Sequence, residues 1–191
     1  MLVTAAWQRV VENLPRGALL RFRPEFARRV WMDPGDLRFA TEVGVSYAKG
    51  LFCPFTSLID RDPATPDIAF TPREDVPDPV ATPHGRFQQL GELYGGDLYV
   101  DLGDGGIWIS HPDRHDEGEY ELINGDLSSL AYVLYKLEAE SPTRDMEIPG
   151  VADWQAAMEV IREHTDNWDR IPFASKKGFW SEFMDSYIEY Y

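Results

Sequence analysis

The chain has 191 residues, of which 43% are hydrophobic and 13% aromatic, and its formal net charge is −15. This composition is typical of a globular protein, and the charge disfavours direct binding to nucleic acid or to an anionic membrane surface. A single cysteine, Cys53, excludes a disulfide within the chain, and no stretch of about 20 apolar residues predicts a membrane span. Together with an N-terminus that lacks the pattern of a signal peptide, these features predict a cytoplasmic protein.

Three helices are predicted in the N-terminal part. Apolar residues at helical spacing predict the first over residues 4–14, which Pro15 ends. Residues 24–31 predict a short second helix. Asp36 is placed to cap a third helix, which runs to Val43 and ends at Gly44.

The next stretch is poor in regular structure. Residues 51–59 are apolar enough for a buried strand or an ordered loop, and Pro54 argues against a central strand. Residues 60–84 contain six prolines, which fix φ and remove backbone donors. We therefore predict a surface loop over 60–84, with one short strand at 68–70.

A sheet is predicted between residues 87 and 123. The runs 98–102 and 106–110 are rich in Val, Ile, Tyr and Trp, and the turn at 103–106 is rich in glycine, which predicts an antiparallel hairpin. Residues 87–93 and 120–123 are predicted to be further strands of the same sheet.

The helices that follow show clear apolar stripes. Asp126 is the predicted cap of a central helix whose stripe consists of Leu127, Leu130, Ala131, Leu134 and Leu137. A second helix is predicted over residues 151–164, and a last helix begins at Ser175 or Lys176. We therefore expect one α+β domain over residues 1–191, in which a mixed or mainly antiparallel sheet of about five or six strands carries helices on one side.

Four segments carry a resemblance to a known family. They are LRFATEVGVS (37–46), GELYGGDLYVDLGDGGIWI (91–109), INGDLSSLAYVLYKL (123–137) and GFWSEFMDSYIE (178–189). In order and apolar pattern they resemble the SUKH superfamily of bacterial immunity proteins, most closely its fourth subgroup, which is often found beside nucleic-acid-targeting toxins. The resemblance implies a SUKH-like domain that binds a cognate toxin, such as a nuclease or deaminase, and blocks it by occlusion without a cofactor. A regulatory or scaffold module of the same fold, with no toxin partner, is the alternative.

No catalytic or metal-binding motif stands out. His111 and His115 are four residues apart, but Pro112 disfavours a helix there, so a solvated turn is favoured over a zinc site. Cys53 beside Pro54 is predicted to be a small buried hydrophobic residue. No nucleophile, base and oxyanion donor assemble in the sequence, so we predict a non-enzyme with no cofactor and no metal. An enzyme that uses the carboxylates and histidines of 111–121 is a more distant alternative.

The predicted partner-facing surface is the acidic segment 101–126, which would meet a basic surface on the toxin. Within it, Trp108 lies between Ile107 and Ile109, so it points to the opposite side of its strand. Trp108 is then either an interface anchor on the open face of the sheet or a residue buried under the C-terminal helix. The predicted partner-binding residues are Asp104, Trp108, Asp113, Asp116, Glu117, Glu119 and Glu121.

Overall fold

A computed structural model describes residues 6–110, 120–140 and 151–187 of the chain. Three short α-helices occupy the N-terminal part, and three longer ones lie in the C-terminal third. They are α1 (Trp7–Asn13), α2 (Pro24–Val30), α3 (Pro34–Arg38), α4 (Leu127–Glu140), α5 (Val151–Asp166) and α6 (Phe179–Tyr187). The strands are β1 (Leu19–Phe22), β2 (Val45–Ser46), β3 (Phe52–Pro54), β4 (Ile59–Asp60), β5 (Val80–Thr82), β6 (Gly85–Leu93), β7 (Gly96–Asp101), β8 (Ile107–Ser110) and β9 (Tyr120–Asn124).

The strands form two sheets. The large sheet has six strands in the order β3-β6-β7-β8-β9, with β5 paired to the other end of β6, and all of these pairs are antiparallel. This confirms the predicted α+β fold with a mainly antiparallel sheet. A small sheet in the order β2-β1-β4 was not predicted. Its strands have only two to four residues, which is too short for an alternating pattern to show in the sequence.

Helix α4 shares one hydrophobic core with the large sheet, and it lies against β9 and against β2 of the small sheet. Leu130 and Leu134 have no exposed surface, and neither do Ile107 and Ile109 on the strand β8. The Asp126 carboxylate accepts a hydrogen bond from the backbone N–H of Ser129 at 2.9 Å, which confirms it as the cap of α4. The central element of the fold therefore forms as its sequence predicts.

The predicted cap of the third helix is wrong by three residues. The Asp33 carboxylate accepts from the N–H groups of Gly35 and Asp36, at 2.8 and 3.1 Å, so the helix begins at Pro34. Proline suits the first helical position because no donor is needed there. A π-helical turn continues the chain to the predicted end at Gly44, where φ is +86° and an added Cβ would lie 2.3 Å from the Leu20 carbonyl oxygen.

The proline-rich segment differs from the prediction in detail. The strand expected at 68–70 is wrong, because Asp67–Ala69 forms a single 3₁₀ turn, whereas the strand β5 lies later in the segment. Pro54 lies on β3, an outermost strand of the large sheet, as its missing N–H requires.

A buried polar cluster joins β9 to α4 and α6. The Asn124 side chain donates to the Ser129 hydroxyl at 2.9 Å and accepts from the Trp180 indole N–H at 3.0 Å. Asp169 accepts from Ser129 at 2.5 Å and from the backbone N–H of Gly125 at 2.7 Å. Because these groups satisfy one another away from water, they fix the helices on one side of the sheet.

Candidate partner interface

The face of the large sheet turned away from α4 is the candidate site, and we call it the outer face. Strand alternation places Trp108 there, since Ile107 and Ile109 are buried in the hydrophobic core to which α4 also belongs. Helix α6 contacts the other face, through Glu121 and Asn124, so it does not cover Trp108. The register pairs Trp108 with Tyr99 on β7 and with Leu122 on β9, which forms one row across the outer face.

Aromatic rings cluster around Trp108. The ring of Phe87 lies 5.0 Å from Trp108 and 5.2 Å from Tyr120, between centroids, and Tyr99 lies 5.4 Å from Tyr120. The His84 ring, from the turn between β5 and β6, stacks on Trp108 at 5.0 Å. Such pairs contribute about 0.5–1.5 kcal/mol each beyond burial, so the rings are held in place before any partner arrives.

Trp108 is half-buried, and its indole N–H is buried. Within the described ranges 6–110, 120–140 and 151–187, this buried N–H finds no acceptor. A tryptophan with an apolar ring and an unused donor is typical of the residues on which interfaces depend.

Carboxylates surround the aromatic cluster. The register places Glu92, Asp97 and Asp101 on the outer face, and the turn between β7 and β8 adds Asp104. A Cβ built on Gly106 would lie 3.1 Å from an Asp104 carboxylate oxygen and 3.3 Å from the Trp108 indole nitrogen, so these two side chains flank the same glycine. The strand positions assigned to this face contain no lysine or arginine in the described part of the chain, so its charge is negative.

Three of the carboxylates also have structural roles. Asp101 accepts a hydrogen bond from the backbone N–H of Gly103 at 2.9 Å. Asp97 accepts hydrogen bonds from the Gln89 amide at 3.0 Å and from the Tyr99 hydroxyl at 3.4 Å. Asp104 accepts from the backbone N–H of Gly106 at 2.8 Å, which shapes the turn. Glu92 is exposed. The negative charge is therefore partly fixed in position by the fold.

Tyr99 is expected to ionise late. Burial, and then the nearby Asp97 carboxylate, raise the pKa of Tyr99 from 10.0 to about 12. Because the folded state holds this proton more tightly than the unfolded state, the stabilisation is complete below pH 10 and is lost as the pH rises towards 12. Tyrosinate absorbance near 295 nm should show a late step that Tyr99→Phe removes; an unchanged titration curve would contradict this.

The structure brings together only part of the predicted site. Asp104 and Trp108 lie side by side on the outer face. Glu121 points to the opposite face, where its carboxylate accepts from the backbone N–H of Phe179 at 2.7 Å and caps α6. Asp113, Asp116, Glu117 and Glu119 lie outside the described residues.

Several outer-face residues were not predicted. Only the pairing of four strands brings Phe87, Tyr99 and Tyr120 next to Trp108. The same pairing places Glu92 and Asp97 in the rim, which is the set of carboxylates around the aromatic cluster. The available sequence signal was the alternation within β7, where Asp97, Tyr99 and Asp101 occupy every second position.

The family comparison can be set beside this geometry. A family model described as SUKH-4 immunity protein matches residues 8–186 of the chain. The chain belongs to the SUKH-4 immunity protein family. No curated protein and no solved structure matches it significantly. Membership confirms the predicted resemblance, and it implies an immunity function directed against a toxin.

The described residues of this SUKH-4 chain offer little for other chemistry. Across residues 6–110, 120–140 and 151–187, no helix is long and apolar enough to cross a membrane and no cluster of His, Cys, Asp and Glu could hold a metal. His111 and His115 lie outside these ranges.

Cys53 is half-buried, so the prediction of a buried residue is wrong. Its thiol lies 3.3 Å from the Gly50 carbonyl oxygen, which accepts a hydrogen bond from it. Burial, and then the Glu92 carboxylate, raise the pKa of this thiol, which disfavours the nucleophilic thiolate.

Proposed function

We propose that this SUKH-4 chain binds its cognate toxin through the outer face and excludes the toxin's nucleic-acid substrate. The observation that carries the proposal is the aromatic cluster around Trp108, with Glu92, Asp97 and Asp104 around it and no basic side chain among its strand positions in the described ranges. A buried aromatic anchor within a charged rim is the usual composition of a specific protein interface.

The chemistry of the partner follows from the charge. An enzyme that acts on nucleic acid needs a basic surface to hold phosphate groups. An acidic protein that meets this same surface competes directly with the substrate, so inhibition needs neither a catalytic group nor a cofactor. A nuclease or a nucleic-acid deaminase is the class of toxin that fits.

Charge and apolar contacts would have different kinetic effects. Residues 101–150 contain 12 acidic and 3 basic side chains, so the acidic surplus is densest in the part of the chain that includes β8 and β9. Long-range attraction accelerates the encounter, and the buried rings then set the lifetime of the complex. The proposal therefore predicts fast, salt-sensitive association and slow dissociation.

Removing the charge of the rim tests this proposal. The triple variant Glu92→Gln, Asp97→Asn and Asp104→Asn keeps one side-chain oxygen at each position, which can accept the bonds from Gln89 and from the Gly106 backbone, whereas the Tyr99 hydroxyl loses its acceptor oxygen. We expect its association rate with the toxin domain encoded by the neighbouring gene to fall about tenfold at low salt, with a flatter salt dependence. Stopped-flow fluorescence measures both, and thermal unfolding checks that the fold is retained.

A matched triple variant on the other side of the molecule is the control. Glu159, Glu163 and Asp166 are exposed on α5, which packs on α4 rather than on the outer face. Their amide replacements remove the same charge and should change the rate far less. If both triple variants slow association equally, the net charge of the protein, and not the position of the charges on the outer face, accelerates association. Wild-type protein that neither binds the toxin nor rescues growth would favour a scaffold module instead.

A rim variant that associates as fast as wild type at low salt would exclude the outer face as the docking surface. The basic N-terminal region with Arg21, Arg23, Arg28 and Arg29 would then be tested next.

A further inference from the structure

The two ends of the large sheet differ. At the β3 end, the proline-rich segment covers the strand: the backbone N–H of Thr71 donates to the Pro54 carbonyl at 3.0 Å, and the N–H of Thr56 donates to the Thr71 carbonyl at 3.2 Å. At the other end lies β9, which pairs with β8. In the described parts of the chain, no backbone group of residues 120–123 bonds to anything other than β8. Among residues 6–110, 120–140 and 151–187, nothing pairs with this edge of β9.

The hydrogen-bond pattern identifies the free groups on this edge. The N–H of Asp101 on β7 donates to the Gly106 carbonyl at 2.9 Å. Hydrogen-bonded pairs recur at every second residue along two antiparallel strands. The backbone groups of Trp108 therefore point towards β7, and those of Ile109 point towards β9. Since Ile109 is opposite Glu121, the backbone groups of Glu121 point towards β8. The N–H and C=O groups of Tyr120 and Leu122 consequently point outwards.

We propose that this edge pairs with an extended segment of the toxin, which adds a seventh strand beside β9. This inference rests on the proposed function and specifies its binding mode as strand addition. The new strand would continue the row that contains Tyr99, Trp108 and Leu122, so its side chains opposite this row would enter the outer face. Edge and face thus form one continuous docking surface.

Local contacts place Leu122 at the junction of edge and face. Its Cδ1 atom would lie 3.1 Å from a Cβ on Gly106, the glycine that also adjoins Asp104 and Trp108. Leu122 is half-buried, so it has surface left to give to a partner. An incoming strand would bury both the outward backbone groups and the side chain of Leu122.

Charge decides between a toxin segment and a second copy of this chain. Each copy carries a net charge of −15, and the residues that lead into β9 in the sequence include Asp113, Asp116, Glu117 and Glu119. Two copies would repel each other at this edge, whereas a segment with lysine or arginine would be attracted. A basic strand of the toxin is therefore the occupant.

Proline and alanine at position 122 both remove the leucine side chain, and only proline also removes the outward N–H donor. Because the N–H of Leu122 is not used by β8, Leu122→Pro keeps the internal ladder, and proline is tolerated at such positions of edge strands. Leu122→Ala is the matched control, since it removes the side chain and keeps the N–H. Against the catalytically inactivated toxin domain of the neighbouring gene, we expect Leu122→Pro to lose at least about tenfold more affinity than Leu122→Ala.

Amide hydrogen exchange of the wild-type protein gives a second readout that needs no variant. In the free chain the Leu122 amide should exchange faster than the Glu121 amide, and toxin binding should protect Leu122. This measurement carries the test if Leu122→Pro does not fold.

Three outcomes would overturn the proposal in different ways. Equal affinities of the proline and alanine variants, with no protection of Leu122 in a complex that does form, would exclude strand addition and leave the immunity function intact. Wild-type protein that does not bind the toxin would contradict the proposed function itself. A dimer of the free chain that protects Leu122 and that Leu122→Pro dissociates would assign the edge to a second copy.

Discussion

Replacing Leu134 by alanine is expected to lower the free energy of unfolding by about 2–5 kcal/mol. Leu134 has no exposed surface, because it lies on the apolar stripe of α4 within the hydrophobic core. Alanine would lose the apolar contacts and leave a cavity that the sheet cannot close without disturbing its strand pairing. Chemical denaturation followed by circular dichroism measures the loss as a lower midpoint with an unchanged slope.

An exposed helix position provides the control for Leu134. Gln155 is exposed on α5, so Gln155→Ala should change the free energy of unfolding by no more than about 0.5 kcal/mol. A loss below about 1 kcal/mol for Leu134→Ala would mean that α4 does not form the centre of the core. Equal losses for both variants would lead to the same conclusion.

The elements with a long apolar pattern could be predicted from the sequence. Helix α4 has five stripe positions and a capping aspartate, and β7 and β8 contain aromatic and β-branched runs around a glycine-rich turn. In each of them propensity, periodicity and turn chemistry agree. The predicted strand at 68–70 failed because three apolar residues between prolines do not distinguish a strand from a 3₁₀ turn.

The predicted cap of the third helix failed for a second reason. Asp33 and Asp36 are both suitable caps in the sequence, and only the position of Pro34 at the first helical residue favours Asp33. The small sheet depends on contacts between β1, β2 and β4, which are far apart in the chain. Tertiary contacts of this kind leave little trace in a local pattern.

Part of the candidate site was predictable because it depends on a local pattern within one strand. Alternation along one strand correctly placed Trp108 opposite its two isoleucine neighbours. The position of Glu121 required knowledge of α6, because its carboxylate accepts a hydrogen bond from the backbone N–H of Phe179, the first residue of that helix. The aromatic cluster required the register of β6 to β9, because its members come from four strands.

Replacing Trp108 by alanine is expected to weaken toxin binding by at least about 2 kcal/mol, or roughly 30-fold in Kd. The ring packs against Phe87 and His84 at the centre of the outer face, and its N–H has no acceptor among the described residues. Alanine would remove the largest apolar surface that this face can bury and would loosen its neighbours. The effect should appear mainly as faster dissociation, which surface plasmon resonance resolves.

Trp168→Ala is the matched control for this variant. Trp168 is 41% exposed and follows α5, outside the outer face, so its loss removes the same ring without touching the proposed interface. Both proteins are compared with wild type well below their unfolding temperatures, because Trp108→Ala also loses contacts within the fold. If the two variants bind the toxin equally well, or if Trp108→Ala dissociates as slowly as wild type, Trp108 does not anchor the complex.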